Sequence, residues 1–184
     1  MATKSWRCVV DACVARSAGQ SDNTTSAACR QALLALRAIC HRVVVCAELS
    51  DEYDRHMSRF FRKWLSSMAQ KGKIVEVSGT DAGLGRAITR ALLPQEDRVE
   101  ARKDLHLVDS ALKTDGLVIS RDGKAKVRFS TVAIQQTRLR RIAWIDLCED
   151  WAGVVRGLKD RDRPGFRTLW SNRHSGKQTS GDDN

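Results

Sequence analysis

Four acidic residues stand where a folded chain can gather them. Asp11 closes the apolar run WRCVVD, and Asp122 follows Val118-Ile119-Ser120-Arg121. Glu52 lies one turn into the helix expected after a Val-rich strand, and Asp104 lies near the start of a helix that feeds another strand. Carboxylates brought together repel one another, and their pKa values rise unless a cation holds them. Hard oxygen donors of this kind suit Mg²⁺ or Mn²⁺. A divalent ion among them can orient water for attack on a phosphodiester and stabilise charge on the leaving oxygen.

The elements that must position these acids follow from the apolar pattern. Strands are expected at 6–11, 43–46, 73–77, 117–120 and 141–145, each a short apolar run with little alternation, as in a parallel sheet covered on both faces. Helices are expected at 27–40, 48–69, 84–93, 102–114 and 149–158, with a polar loop at 17–26. The helix at 48–69 carries the stripe Tyr53, Met57, Phe60, Phe61, Trp64, Leu65 and Met68, the spacing of a buried helical face. Alternating strands and helices predict an α/β fold with right-handed crossovers. Open sheets of that kind bind ligands at the carboxyl ends of their strands, which is where Asp11 and Asp122 stand.

The bulk composition fits one soluble domain. The chain has 184 residues, 42% of them hydrophobic and 29% charged. No apolar run approaches the roughly 18 residues of a membrane span, and the N-terminal residues lack the apolar stretch of a secretory signal. The expectation is a cytoplasmic protein. Six cysteines (Cys8, Cys13, Cys29, Cys40, Cys46 and Cys148) form no C-x-x-C pair and are expected to be free thiols, several of them buried. The net charge is +10, which favours a polyanionic partner, nucleic acid first.

The order Val-Val-Asp11, Ala47-Glu48-Leu49-Ser50-Asp51-Glu52-Tyr53, Asp104-Leu-His-Leu-Val-Asp-Ser-Ala-Leu112 and Asp115-Gly-Leu-Val-Ile-Ser120-Arg121-Asp122 resembles the PIN domain family across about residues 6–146. The resemblance implies a three-layer α/β/α fold with a central parallel sheet of about five strands. The nuclease domain is then expected at 1–158; after Lys159 the chain is charged and Gly- and Ser-rich, which by composition predicts a basic, partly disordered tail at 159–184, ordered in part by Phe166, Leu169 and Trp170 and loose beyond His174. Asp11, Glu52, Asp104 and Asp122 then hold Mg²⁺ or Mn²⁺ and carry catalysis, with Ser120 a supporting polar residue. The implied activity is metal-dependent endonucleolysis of RNA, the role of many toxins that form homodimers and are held by an antitoxin protein. Family members usually carry Thr or Ser and then Asn after the first Asp; here Ala12 and Cys13 stand there, which weakens the expected support for Asp11.

Other residues compete for these roles. Glu48 and Asp51 share a turn with Glu52, whereas Asp109 and Asp115 read as structural. His56 and His106 can face the cleft or serve the surface and core. Arg121, Lys124, Arg55 and Arg59 are candidate phosphate contacts, as are Arg62 and Lys63 on the same helix, and Arg138, Arg140 and Arg141 form the densest basic cluster. Trp170 is a candidate for stacking on a base. Two alternatives remain: a non-catalytic nucleic-acid-binding protein on the same fold, and a dinucleotide-binding oxidoreductase. The second rests on Gly79, Gly83 and Gly85 after the third strand, since a glycine turn before a helix can cradle a pyrophosphate. Against it, two strand–helix units precede the turn, and the sole tyrosine, Tyr53, also precedes it.

Overall fold

The computed structural model describes residues 5–160 except 20, 22, 80 and 150. Five strands, β1 (Arg7–Val10), β2 (Arg42–Val45), β3 (Ile74–Glu76), β4 (Leu117–Ser120) and β5 (Ala143–Asp146), form one all-parallel sheet in the order β3-β2-β1-β4-β5. The register pairs Val9 with Val44 and Val118, and Ser120 with Asp146. The chain builds outward from β1 through β2 to β3, then crosses back to β4 and β5. The switch in direction falls between β1 and β4, the place where open parallel sheets form a ligand crevice. The fold is the expected three-layer α/β/α arrangement.

Nine helices are described: α1 (Ala12–Ser17), α2 (Thr24–Ala38), α3 (Ala47–His56), α4 (Arg59–Gln70), α5 (Ala82–Arg90), α6 (Gln95–Lys103), α7 (Leu105–Leu112), α8 (Gly123–Gln135) and α9 (Trp151–Asp160), with a 3₁₀ turn at Thr137–Arg141. Helix α2 packs between α1, α4 and α9, while α5, α6, α7 and α8 pack together on the other side. The three central strands are apolar in their middles because both faces are covered: Val9, Val10, Val43, Val44, Val118 and Ile119 are fully buried. Trp64, Trp144, Tyr53, Phe61 and Phe129 are the largest fully buried side chains of this core. Among the described residues no helix is long and apolar enough to cross a membrane.

Three expectations need correction. The single helix at 48–69 is two helices, broken at Met57–Ser58. Ser58 Oγ accepts from Phe61 N at 3.2 Å and starts α4, while Ser58 N donates back to Ala15 O at 3.1 Å. A side-chain cap and a tertiary bond at the same residue outweigh the continuous apolar stripe. The helix expected at 102–114 is α7, starting at Leu105, with Asp104 the junction between it and α6. Helices α1, α6 and α8 fall almost wholly in segments where no helix was expected. The six cysteines are free, three of them buried. The tail from residue 161 onward, with Trp170, lies outside the described residues.

Candidate acidic site at the sheet's switch point

Asp11 leaves β1 in extended conformation (φ −64°, ψ 145°) and caps α1, its Oδ1 accepting from Cys13 N at 3.0 Å. Its Oδ2 accepts from Ser120 Oγ at 2.5 Å and from Cys13 Sγ at 3.1 Å. The residue is 9% exposed. Asp122 sits across the switch from it. Its N–H donates to Ser120 Oγ at 2.9 Å, and its Oδ1 caps α8 by accepting from Ala125 N at 2.9 Å. Ser120 thus ties the two carboxylates together, accepting from one residue's backbone and donating to the other's side chain. Tyr53 Oη donates to Val10 O, which anchors α3 directly beneath Asp11.

Asp104 differs in kind. It stands between α6 and α7 and makes no capping hydrogen bond with its side chain, so the helix-terminus role it could have filled does not account for it. Burial, then the charges of Asp11, Asp122 and Glu52 in that order, push its pKa up to about 7. Glu52, on α3, is also raised, first by burial and then, against the opposing pull of His106, by Asp11. The four acids named from the sequence therefore occupy one electrostatic neighbourhood. Glu48, the competitor of Glu52, is exposed and lines a cavity of about 140 Å³ with Cys46, Ser78 and His106.

Among the described residues no group of three or more His, Cys, Asp or Glu side chains is arranged to hold a metal ion. Like charges hold one another apart unless a cation stands between them. The fit to a divalent ion rests on the donor set: hard carboxylate oxygens gathered by the fold, with Asp104 and Glu52 raised by burial and by their acidic neighbours.

The basic candidates separate. Lys124 is exposed in the first turn of α8 and, with Arg128 and the acids Glu96, Asp97 and Glu100, lines a groove of about 730 Å³ that reaches Gly123 beside Asp122. Arg121 folds back, its Nη1 donating to Ser17 Oγ. Arg55 is exposed, bonds Asp51 O through its Nε at 3.0 Å, and acts on Glu52 together with His56. Arg59 is exposed at the start of α4. Asp109 and Asp115 have partners, Lys113 Nζ at 2.6 Å and Arg7 Nη2 at 2.8 Å, as structural residues would.

Two residues at this rim escaped the sequence reading. Arg128 pairs with Asp97 at 2.6 Å and feels the charges of Asp122 and Asp104. Its spacing of four from Lys124 is a helical signal, lost because α8 was not recognised. Asp146 is 8% exposed at the end of β5, its Oδ1 accepting from Cys148 N at 2.8 Å. The fifth strand was read one residue short, which hid a strand-end acid directly opposite Ser120.

The glycine-rich turn has a local explanation. Asp81 caps α5 by accepting from Gly83 N at 2.6 Å, and a Cβ on Gly83 would lie 2.8 Å from Asp81 Oδ1. Gly79 has φ +74°, a backbone that glycine adopts without steric cost. The turn follows β3 at the sheet edge rather than the strands at the switch point. No family model, curated protein or solved structure matches the chain.

Proposed function

We propose that the chain is a PIN-like, metal-dependent endoribonuclease whose centre is Asp11, Glu52, Asp104 and Asp122, with Mg²⁺ or Mn²⁺ as cofactor. The observation that carries this reading is the gathering of the four acids at the switch point, where burial first and then the charges of Asp11, Asp122 and Glu52 push Asp104 up to about 7. A bound divalent cation would supply an activated water and stabilise charge on the departing oxygen. Asp11 and Asp122, fixed by caps and by Ser120, give the site its rigid part. Asp104, at the α6–α7 junction, and Glu52, in the middle of α3, supply the remaining charge. Lys124, exposed two residues past Asp122, is the candidate phosphate contact; the groove it lines also carries Glu96, Asp97 and Glu100 and does not by itself favour a phosphate backbone. The net charge of +10 favours approach of a polyanion that the carboxylates alone would repel.

The departure at Ala12–Cys13 does not favour the non-catalytic alternative, because Cys13 contributes both an N–H and an S–H to Asp11. On the resemblance alone, the proposal extends to a homodimer, an antitoxin protein and a cytoplasmic setting. The test is incubation with single-stranded RNA in Mn²⁺, Mg²⁺ or EDTA, alongside Asp11→Asn and Asp122→Asn. Cleavage that needs the metal and falls at least about 100-fold in both variants is expected, of the order found when a transition-state charge stabiliser is removed. Equal cleavage by wild type and variants refutes the proposal.

A further inference from the structure

His106 is 6% exposed on α7, two residues past Asp104. Its Nδ1 lies 2.9 Å from Lys103 O. A carbonyl only accepts, so Nδ1 carries a proton and, in the neutral ring, Nε2 presents its lone pair. That Nε2 is buried and has no hydrogen-bond partner, one of three such side-chain atoms among the described residues. Its neighbour is Glu52 Oε2 at 3.7 Å, beyond hydrogen-bond length. Leaving a buried polar atom unsatisfied is costly, and native structures rarely do it without a reason. An imidazole that donates Nδ1–H to a backbone carbonyl and turns Nε2 toward the Glu52 carboxylate has the orientation of a metal-ligating histidine.

We propose that His106 Nε2 is a nitrogen donor to the divalent cation of the acidic site, and that it biases the site toward Mn²⁺ and later first-row ions over Mg²⁺. The inference rests on the metal-site reading above and adds to it a ligand of different chemistry. Carboxylates alone suit Mg²⁺, whereas imidazole binds first-row transition ions far better. Mg²⁺ also sheds its waters reluctantly and gains little from a nitrogen.

The test uses the full chain loaded with Mn²⁺. Electron-spin-echo modulation reports whether a ¹⁴N nucleus is bonded to the ion, and calorimetry gives Mn²⁺ and Mg²⁺ affinities for wild type, His106→Gln and Asp11→Asn. Directly bonded ¹⁴N is expected in wild type and lost in His106→Gln. Mn²⁺ affinity is expected to fall about 10-fold or more, with Mg²⁺ affinity changing far less. Mn²⁺ binding that Asp11→Asn abolishes but that shows no ¹⁴N coupling overturns the role of His106 and leaves the metal site standing. No Mn²⁺ binding by wild type overturns both. The wild-type spectrum decides the matter even if His106→Gln folds poorly.

Discussion

Replacing Asp104 by Asn should make the metal-free protein more stable, and the gain should depend on pH. Burial and three neighbouring carboxylates raise Asp104 from its ordinary 3.8 to about 7. Below about pH 4 both folded and unfolded chains hold the proton, and the residue contributes nothing. Between about 4 and 7 the folded chain holds a proton that the unfolded chain has released, so stability falls as pH rises. Above about 7 both have lost it and the destabilisation is complete. Unscreened, the gap corresponds to about 4 kcal/mol; solvent at this half-buried site reduces it to about 2 kcal/mol. Asn mimics the protonated acid in size, and no capping bond is lost with the carboxylate. In EDTA at pH 8, urea unfolding of Asp104→Asn should show about 2 kcal/mol of added stability, or roughly 4–8 °C in Tm for a chain of this size. At pH 4 the difference should vanish. Saturating Mn²⁺ should reverse the order, since an ion at 100 times its Kd stabilises wild type by about 2.7 kcal/mol and finds a weaker site in the variant. An Asn variant that is less stable at pH 8, or equally displaced at both pH values, would refute the claim that these acids press on one another.

Ser120→Ala should lose about 1–3 kcal/mol, because it removes the donor to Asp11 Oδ2 and the acceptor of Asp122 N–H together; chemical denaturation measures the loss, and RNA cleavage should fall at least about 10-fold. Gly83→Ala should cost about 1 kcal/mol through the α5 cap and leave metal binding unchanged. A loss of Mn²⁺ affinity in that variant would mean that the glycine turn belongs to the site.

The strand-end acids were legible because a strand fixes which residue emerges at its end, and one buried apolar run ends on Asp11. The sheet's order was not legible, since parallel strands with covered faces carry no alternation to distinguish neighbours. Helix α8 escaped notice because its buried face includes Lys126, paired with Glu149 at 2.6 Å across 23 residues. A cation satisfied from a distant segment breaks the apolar stripe that pattern reading depends on. Arg128 was lost with it. The break at Ser58 was hidden for the opposite reason: its apolar stripe continues unbroken through a cap whose deciding partner, Ala15, lies on another element.

Cys13 changes what the departure from the family pattern means. An ionised carboxylate offers about four acceptor positions. At Asp11 three are taken, by Cys13 N–H, Cys13 S–H and Ser120 O–H. One position remains for a cation, so Asp11 can bind an ion through a single lone pair without giving up a bond. Asp122 is similarly committed through one oxygen to α8. Asp104 makes no capping bond, and Glu52 has His106 at 3.7 Å with the charges of Arg55 and His56 nearby. The site therefore divides into a fixed half built on strand ends and a second half, from the α6–α7 junction and the middle of α3, that makes fewer bonds. On the proposed metal-site reading, Asp11 and Asp122 would hold the cation from the fixed half, Glu52 and Asp104 would complete the donor set, and the cation's charge would offset the burial and acidic neighbours that raise Asp104. Substitutions in the fixed half should then cost stability as well as metal affinity, whereas Asp104→Asn should trade metal affinity for stability.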